Sequence, residues 1–337
     1  MKRFLKRLTL FASIFIILQI PLLLISWHLD KNQLSMHIEL DKLERIKQAG
    51  DHDILIMGDS RAFAMNRDAE FASANSIYNL SLANPGGLYP YPYLLKRYLK
   101  YHKPPSAIIL SFIPLMLTDE WDIFAEDVDL TAATFYRSAR LYSISDMLTE
   151  PVFREHPMTV ARMLLRYLSP NKIYEKLKFN SDINGYKPET GYFTVRETKE
   201  WNFDPDVYLL NTPLEISDKA VLFMDYFLSI ARDNDIPVVL YNMPIPESVY
   251  RIRSEDGFYS KYFQVIDEMA AKYPNTLTVY REIEYYPDNY FIDGSHLNEK
   301  GAVKFNHSDF VDIVQMTKQC YNEPALAEGG SKKSPLK

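Results

Sequence analysis

The sequence predicts an α/β fold in which helices cover both faces of a parallel sheet. Short apolar runs that stop at turn residues alternate with amphipathic helical patterns, the sequence signature of βαβ units. The runs are continuous rather than alternating, as strands buried on both faces require. With 337 residues, 47% hydrophobic and 24% charged, the chain is neither disordered nor collagen-like and can build a large core without covalent staples.

The N-terminus predicts a membrane anchor. Lys2, Arg3, Lys6 and Arg7 precede Leu8 to Trp27, an uncharged apolar stretch. At about 1.5 Å per residue it spans a hydrocarbon core of about 30 Å. The basic flank places the short N-terminus in the cytoplasm and everything after Trp27 outside. A cleaved signal peptide shares the charged-then-apolar order, but this run exceeds the usual apolar length and its exit offers no small-x-small cleavage site. The expected organisation is therefore a cytoplasmic stub and transmembrane helix at 1–28, touching the lipid bilayer through 8–27. A linker follows at 29–52, then a domain at 53–320 and a disordered tail at 321–337.

In the linker, 35–49 has a partly amphipathic helical pattern ended by Gly50. Strands are expected at Asp53–Met57, stopped by Gly58, and at Ser76–Leu80, Ala107–Phe112, Pro237–Asn242 and Thr276–Tyr280. Helices are expected at Tyr91–Tyr101, Ser217–Asn234, Tyr259–Tyr273 and Glu299–Thr317. The stretch from about 117 to 212 breaks this rhythm and reads as an insertion over the carboxyl edge of the sheet, where such folds bind ligands. It is expected to serve as a lid or a partner surface.

Several function classes are excluded. Lys+Arg 38 against Asp+Glu 44 gives a net charge of −6 with no basic run, which argues against nucleic-acid binding. Cys320 is the only cysteine, so no intrachain disulfide or cysteine metal site forms. The histidines His52, His102, His156 and His307 lack metal-ligand spacing, and no dinucleotide or phosphate loop occurs, so no cofactor is expected.

Three loops after expected strands carry candidate chemistry. Ser60, in Gly58-Asp59-Ser60-Arg61, sits where a strand's carboxyl end meets a helix start, as an acyl-transfer nucleophile needs; a plain helix-capping serine is the competing role. Asp293-Gly294-Ser295-His296 supplies an imidazole base and a carboxylate to orient it, three positions apart. Asn79 to Gly87 ends in Asn84-Pro85-Gly86-Gly87, whose open backbone suits an oxyanion hole beside the Ser60 N–H, or forms an ordinary Pro-Gly turn.

These three blocks, in this order, resemble the SGNH (GDSL-like) hydrolases. The resemblance implies a flavodoxin-like three-layer α/β/α sandwich and acyl-ester chemistry. It also implies Ser60 as nucleophile, His296 as base and Asp293 as its orienter. The chain departs from the family after the third strand, where Ile113-Pro114 stands in place of the block bearing an oxyanion-hole Asn. Asn84 or Asn79 substitutes, or backbone donors at Gly86 and Gly87 suffice. The anchor and the missing block look more like the membrane-anchored branch that works beside membrane-bound O-acyltransferases, in teichoic-acid D-alanylation and exopolysaccharide O-acetylation. The expected function is an extracytoplasmic serine acyltransferase or esterase acting on a cell-envelope carbohydrate polymer, with such a transferase as partner. A non-catalytic scaffold for envelope polysaccharide modification is the alternative.

Two accessory features complete the reading. Tyr89, Tyr91 and Tyr93, with Tyr285, Tyr286, Tyr290 and Phe291, form either a flat wall for a sugar ring or core packing. Arg61 is a candidate for binding a carboxylate or phosphate of the substrate, with a surface salt bridge as the competing role.

Overall fold

Five apolar runs assemble into one parallel sheet. β1 (Ile54–Gly58) pairs with β2 (Ile77–Asn79) on one side and β3 (Ala107–Ser111) on the other, and β6 (Val238–Leu240) and β8 (Leu277–Val279) extend the second side. The order is β2-β1-β3-β6-β8, so the chain reverses its direction of travel between β1 and β3. Such a reversal opens a crevice at the carboxyl ends of those two strands. The register pairs Ile54 with Ile77 and with Ala107, and Gly58 with Ser111.

The computed structural model describes residues 38, 41–43, 45–47, 50–82, 87–88, 90–118, 186–187, 189–193, 216–255 and 257–322. Apart from residue 38 they belong to one unit formed from 41–128 and 184–337. No helix among them is long and apolar enough to cross a membrane, and the Leu8–Trp27 span lies outside them.

Four expected strands appear with one or both ends trimmed by one or two residues, while β1 is shifted by one so that it includes Gly58, and every residue of β1 and β3 is buried. Ile54, Ile56 and Ile109 pack with Phe305, Phe310, Ile313 and Val314 on one face. Leu55, Met57, Ile108 and Leu110, which point the other way, are equally buried. The α-helices that lie wholly within the described residues are α1 (Ala69–Ala74), α2 (Pro90–Leu99), α3 (Asp218–Asp233), α4 (Glu247–Glu255), α5 (Phe258–Lys272), α6 (Glu299–His307) and α7 (Asp309–Asn322). The Ser217 side chain caps α3, accepting from Ala220 N–H, and Asp68 caps α1, accepting from Glu70 and Phe71 N–H.

Three features differ from the sequence expectation. The long helix expected from Glu299 breaks at Ser308, whose hydroxyl lies 2.9 Å from the Lys304 carbonyl and 2.6 Å from Asp309 Oδ1 and shares its one proton between them, an alternative to helical continuation. The following α7 runs through Asn322, two residues into the segment expected as tail. The short α1, the polar α4 and the two-residue ladder of β7 (Ile245–Pro246) with β9 (Tyr285–Tyr286) carry too little periodicity to be foreseen.

The described residues flanking the insertion pair with each other. Thr118 bridges Ile216 in antiparallel fashion, and Ser217 N–H donates to the Leu117 carbonyl at 2.8 Å. Within it, the antiparallel pair β4 (Tyr186–Lys187) and β5 (Tyr192–Phe193) comes back to the sheet, where Asn79 N–H donates to the Thr190 carbonyl at 3.0 Å.

Gly58 permits the closest approach in the sheet. A Cβ built there would stand 1.8 Å from the Ser111 carbonyl oxygen and 3.0 Å from Ala62 Cβ. Gly58→Ala is therefore expected to destabilise the fold by about 3 kcal/mol or more, read from the urea unfolding midpoint. A midpoint equal to that of the unsubstituted protein contradicts this packing.

Candidate active site

The carboxyl end of β1 turns directly into a 3-10 turn, Ser60–Ala64. Asp59 caps it: one carboxylate oxygen accepts Arg61 N–H at 2.9 Å, and the other accepts the N–H of Ile113, just beyond β3. Ala62 N–H goes to the Asp59 carbonyl at 3.1 Å, which leaves the N–H of Ser60 as the first donor of the turn. Asp59 is thus a buried joint between the loops after β1 and β3, and Ser60 stands half-exposed at its tip.

The second half of the site is a closed loop before α6. Phe291 and Leu297 form an antiparallel bridge, and Ile292 N–H donates to the His296 carbonyl at 2.9 Å. Within this loop Asp293 Oδ1 accepts the backbone N–H of Ser295 at 2.9 Å and of His296 at 2.8 Å. Its Oδ2 lies 2.8 Å from His296 Nδ1. A carboxylate only accepts, so Nδ1 carries the ring proton and Nε2 is left with its lone pair. That Nε2 lies 2.7 Å from Ser60 Oγ, across 236 positions of chain. The structure therefore brings Ser60, His296 and Asp293 into the relay order expected from the sequence.

Burial by itself would raise the Asp293 carboxyl. The hydrogen bond and charge of the His296 ring, with the two backbone N–H donors, outweigh it and hold the group below the usual carboxylate range. Ser295 adds a third neighbour to the ring: its hydroxyl is 3.1 Å from His296 Nδ1 and 3.3 Å from Asp293 Oδ1. Ser295 lies on the carboxylate side of the imidazole and Ser60 on the opposite side.

Buried amides lock the two halves together. Asn306, on α6, donates to the Ala64 carbonyl at 2.6 Å and accepts Arg67 N–H at 2.9 Å. Arg67 also pairs with Glu299 at 2.6 Å, again joining the nucleophile's segment to the histidine's helix. Asn298 caps α6 by accepting Gly301 N–H at 3.0 Å and donates to the Asn289 carbonyl at 3.0 Å. None of these residues was singled out from the sequence. The only signal was Asn298 one position before an expected helix, the usual place of a cap.

The remaining expected site residues are placed differently. Asn79 is fully buried and its amide is committed to structure, donating to the Ala62 carbonyl at 2.7 Å and the Met65 carbonyl at 3.1 Å, and accepting Ser81 N–H at 3.0 Å. It has no N–H left for an oxyanion, which removes it as the substitute donor. Gly87 is buried with φ 111°, a conformation that favours glycine. Asn84 and Gly86 lie outside the described residues. Arg61 is buried, not a surface ion-pair former; its Nε is 3.5 Å from Asp59 Oδ1, and Nε and Nη2 make no hydrogen bond.

Of the aromatic residues, Tyr91, Tyr93, Tyr286 and Phe291 are core. Tyr285 is exposed and stacks on Tyr250 with centroids 4.6 Å apart, and Tyr290 is half-buried. Tyr89 lies outside the described residues.

Because the folded state holds Asp293 below its unfolded value, it binds fewer protons there than the unfolded chain does. The contribution is present in full above the ordinary carboxylate value of about 4 and disappears as the pH falls through the lowered folded value. The stability gap between the unsubstituted protein and Asp293→Asn should thus be widest at neutral pH and narrow below about pH 4. Urea titrations of both proteins at several pH values measure it, and a gap independent of pH contradicts the assignment.

The chain belongs to the DUF1574 family, described as "Protein of unknown function", which it matches over residues 29–308. No curated protein matches it.

Proposed function

We propose that the protein is a serine-dependent acyltransferase or esterase of the SGNH type. The observation that carries this reading is the continuous relay from Asp293 through His296 to Ser60, with Nε2 and Oγ 2.7 Å apart at the crevice of a parallel sheet. The sheet order supports a flavodoxin-like architecture.

The chemistry follows from the proton positions. As Ser60 Oγ attacks an acyl carbonyl, His296 Nε2 takes the hydroxyl proton and Asp293 stabilises the resulting imidazolium. The carbonyl π electrons move onto oxygen, and the Ser60 N–H, with donors from the loop ending at Gly87, stabilises the oxyanion. Collapse of this intermediate breaks the bond to the leaving alkoxide, which receives the proton from His296, and leaves an acyl ester on Ser60. An acceptor hydroxyl then gives its proton to His296 and attacks that ester; collapse of the second intermediate breaks the acyl–Oγ bond, and Ser60 Oγ takes the proton back from His296. Water in this step makes the protein an esterase, and a carbohydrate hydroxyl makes it a transferase.

The apolar Leu8–Trp27 span behind four basic residues supports anchorage with the domain outside the membrane. In that setting the acceptor is a cell-envelope polymer, and a membrane-bound O-acyltransferase supplies the acyl group. Asp293 and His296 side chains are 32% and 33% exposed, open enough for a polymer chain to reach them.

Turnover of p-nitrophenyl acetate by the full chain tests the reading. An initial burst approaching one equivalent is expected, since acyl-Ser60 forms before it is discharged. Ser60→Ala and His296→Ala should remove the burst while retaining the fold, and Asp293→Asn should slow it at least ~100-fold. A burst that survives Ser60→Ala contradicts the proposal, and a folded protein without any turnover favours the scaffold alternative.

A further inference from the structure

Lys42 lies in a helical stretch that leads into the domain, yet it is only 1% exposed. A buried ammonium costs free energy unless good contacts compensate it. Its Nζ donates to the Ser81 carbonyl at 3.0 Å and lies 4.3 Å from the centroid of the Phe63 ring, a cation–π contact. Ser81 stands at the exit of β2, where the loop toward Gly87 begins, and Phe63 is three residues after Ser60 in the same 3-10 turn.

These contacts close a ring behind the nucleophile. Lys42 holds the carbonyl of Ser81, and Asn79 Oδ1 accepts the N–H of the same residue at 3.0 Å. Asn79 Nδ2 then returns to the Ala62 and Met65 carbonyls on the nucleophile's turn, and Phe63 on that turn meets Lys42 again. Leu82 N–H ties the loop to the Gly58 carbonyl at 2.8 Å. Phe63 also meets Phe193 of β5, edge-on at 6.0 Å between centroids. The helical stretch itself is seated by buried Leu43 and Ile46 and by the His102 ring on the Ile46 carbonyl.

We propose that Lys42 is a positioning residue for the Ser60 site. It sets the spacing between the nucleophile's turn and the exit of β2 at Ser81 and Leu82. The chain leading into the domain is thereby a structural part of the site rather than a passive tether. Lys42 touches no reacting atom; it acts through Ser81 and Phe63. The inference rests on the acyl-transfer reading for its kinetic consequence and on geometry alone for its structural one.

The test uses the full chain with Lys42→Met, which keeps an apolar stem and removes the ammonium, Lys42→Arg, which retains a cation, and Phe63→Leu, which removes the ring that Lys42 faces together with its edge-on contact to Phe193. A fluorophosphonate probe reports the maximal rate of Ser60 modification separately from probe affinity. Lys42→Met should lower the maximal rate about tenfold with affinity unchanged, because a small misplacement of oriented groups slows the chemical step. Lys42→Arg should recover most of the rate. Phe63→Leu should lower it about threefold, and this decides the matter if Lys42→Met does not fold. Hydrogen exchange at the amides of Leu82, Ala62 and Met65 should speed up in Lys42→Met whether or not the protein reacts with the probe. Unmodified wild-type protein would contradict the acyl-transfer reading and leave exchange to judge Lys42. Wild-type modification rates in Lys42→Met or Phe63→Leu, or exchange unchanged by Lys42→Met, would overturn the role of Lys42.

Discussion

A single hydrogen bond, Ser60 Oγ to His296 Nε2 at 2.7 Å, joins residues 236 positions apart in the chain, and the described structure is arranged so that this contact is met. Neither loop can supply it alone. β1 delivers Ser60 to the carboxyl edge of the sheet, and α6 holds the loop of Asp293 and His296 over the same edge. A parallel sheet makes such a meeting possible because all its carboxyl ends lie on one side.

The precision of the contact comes from buried polar groups rather than from the apolar core. Asp59 ties the β1 exit to the β3 exit, Asn79 ties the β2 exit to the turn after Ser60, and Asn306 ties that turn to α6. Each replaces water by several protein hydrogen bonds, so displacing any one strands buried partners at a cost of about 1–3 kcal/mol. Apolar packing is tolerant of small shifts, whereas a network of this kind has one satisfied arrangement. Asp59 also commits the first residues after β3, since its carboxylate accepts Ile113 N–H.

Much of this was legible in the residues. The apolar runs marked the five strands of the main sheet because burial leaves a continuous signal in β1, β2, β3 and β6, with the edge strand β8 buried only at Leu277, and Asp293 and His296 were legible because three-residue spacing in a glycine-bearing turn lets a carboxylate fold onto a ring. Asn79 was misjudged as a possible oxyanion donor, since sequence places it beside the site without saying which way its amide is used. Arg61 was judged by its charge, which favours surfaces, while the fold buries it next to Asp59. Lys42, Asn306 and Arg67 gave no signal at all, because their partners Ser81, Ala64 and Glu299 become neighbours only through tertiary contact.

Two serines flank the same imidazole, Ser60 at Nε2 and Ser295 at Nδ1, and the account depends on which of them is activated. Peptide mapping of the fluorophosphonate adduct on the full-length protein decides this most directly. One adduct, on Ser60, is expected, because only the nitrogen facing it keeps a lone pair while Nδ1 donates its proton to the Asp293 carboxylate. An adduct on Ser295, or folded protein that takes up no probe at all, would contradict it.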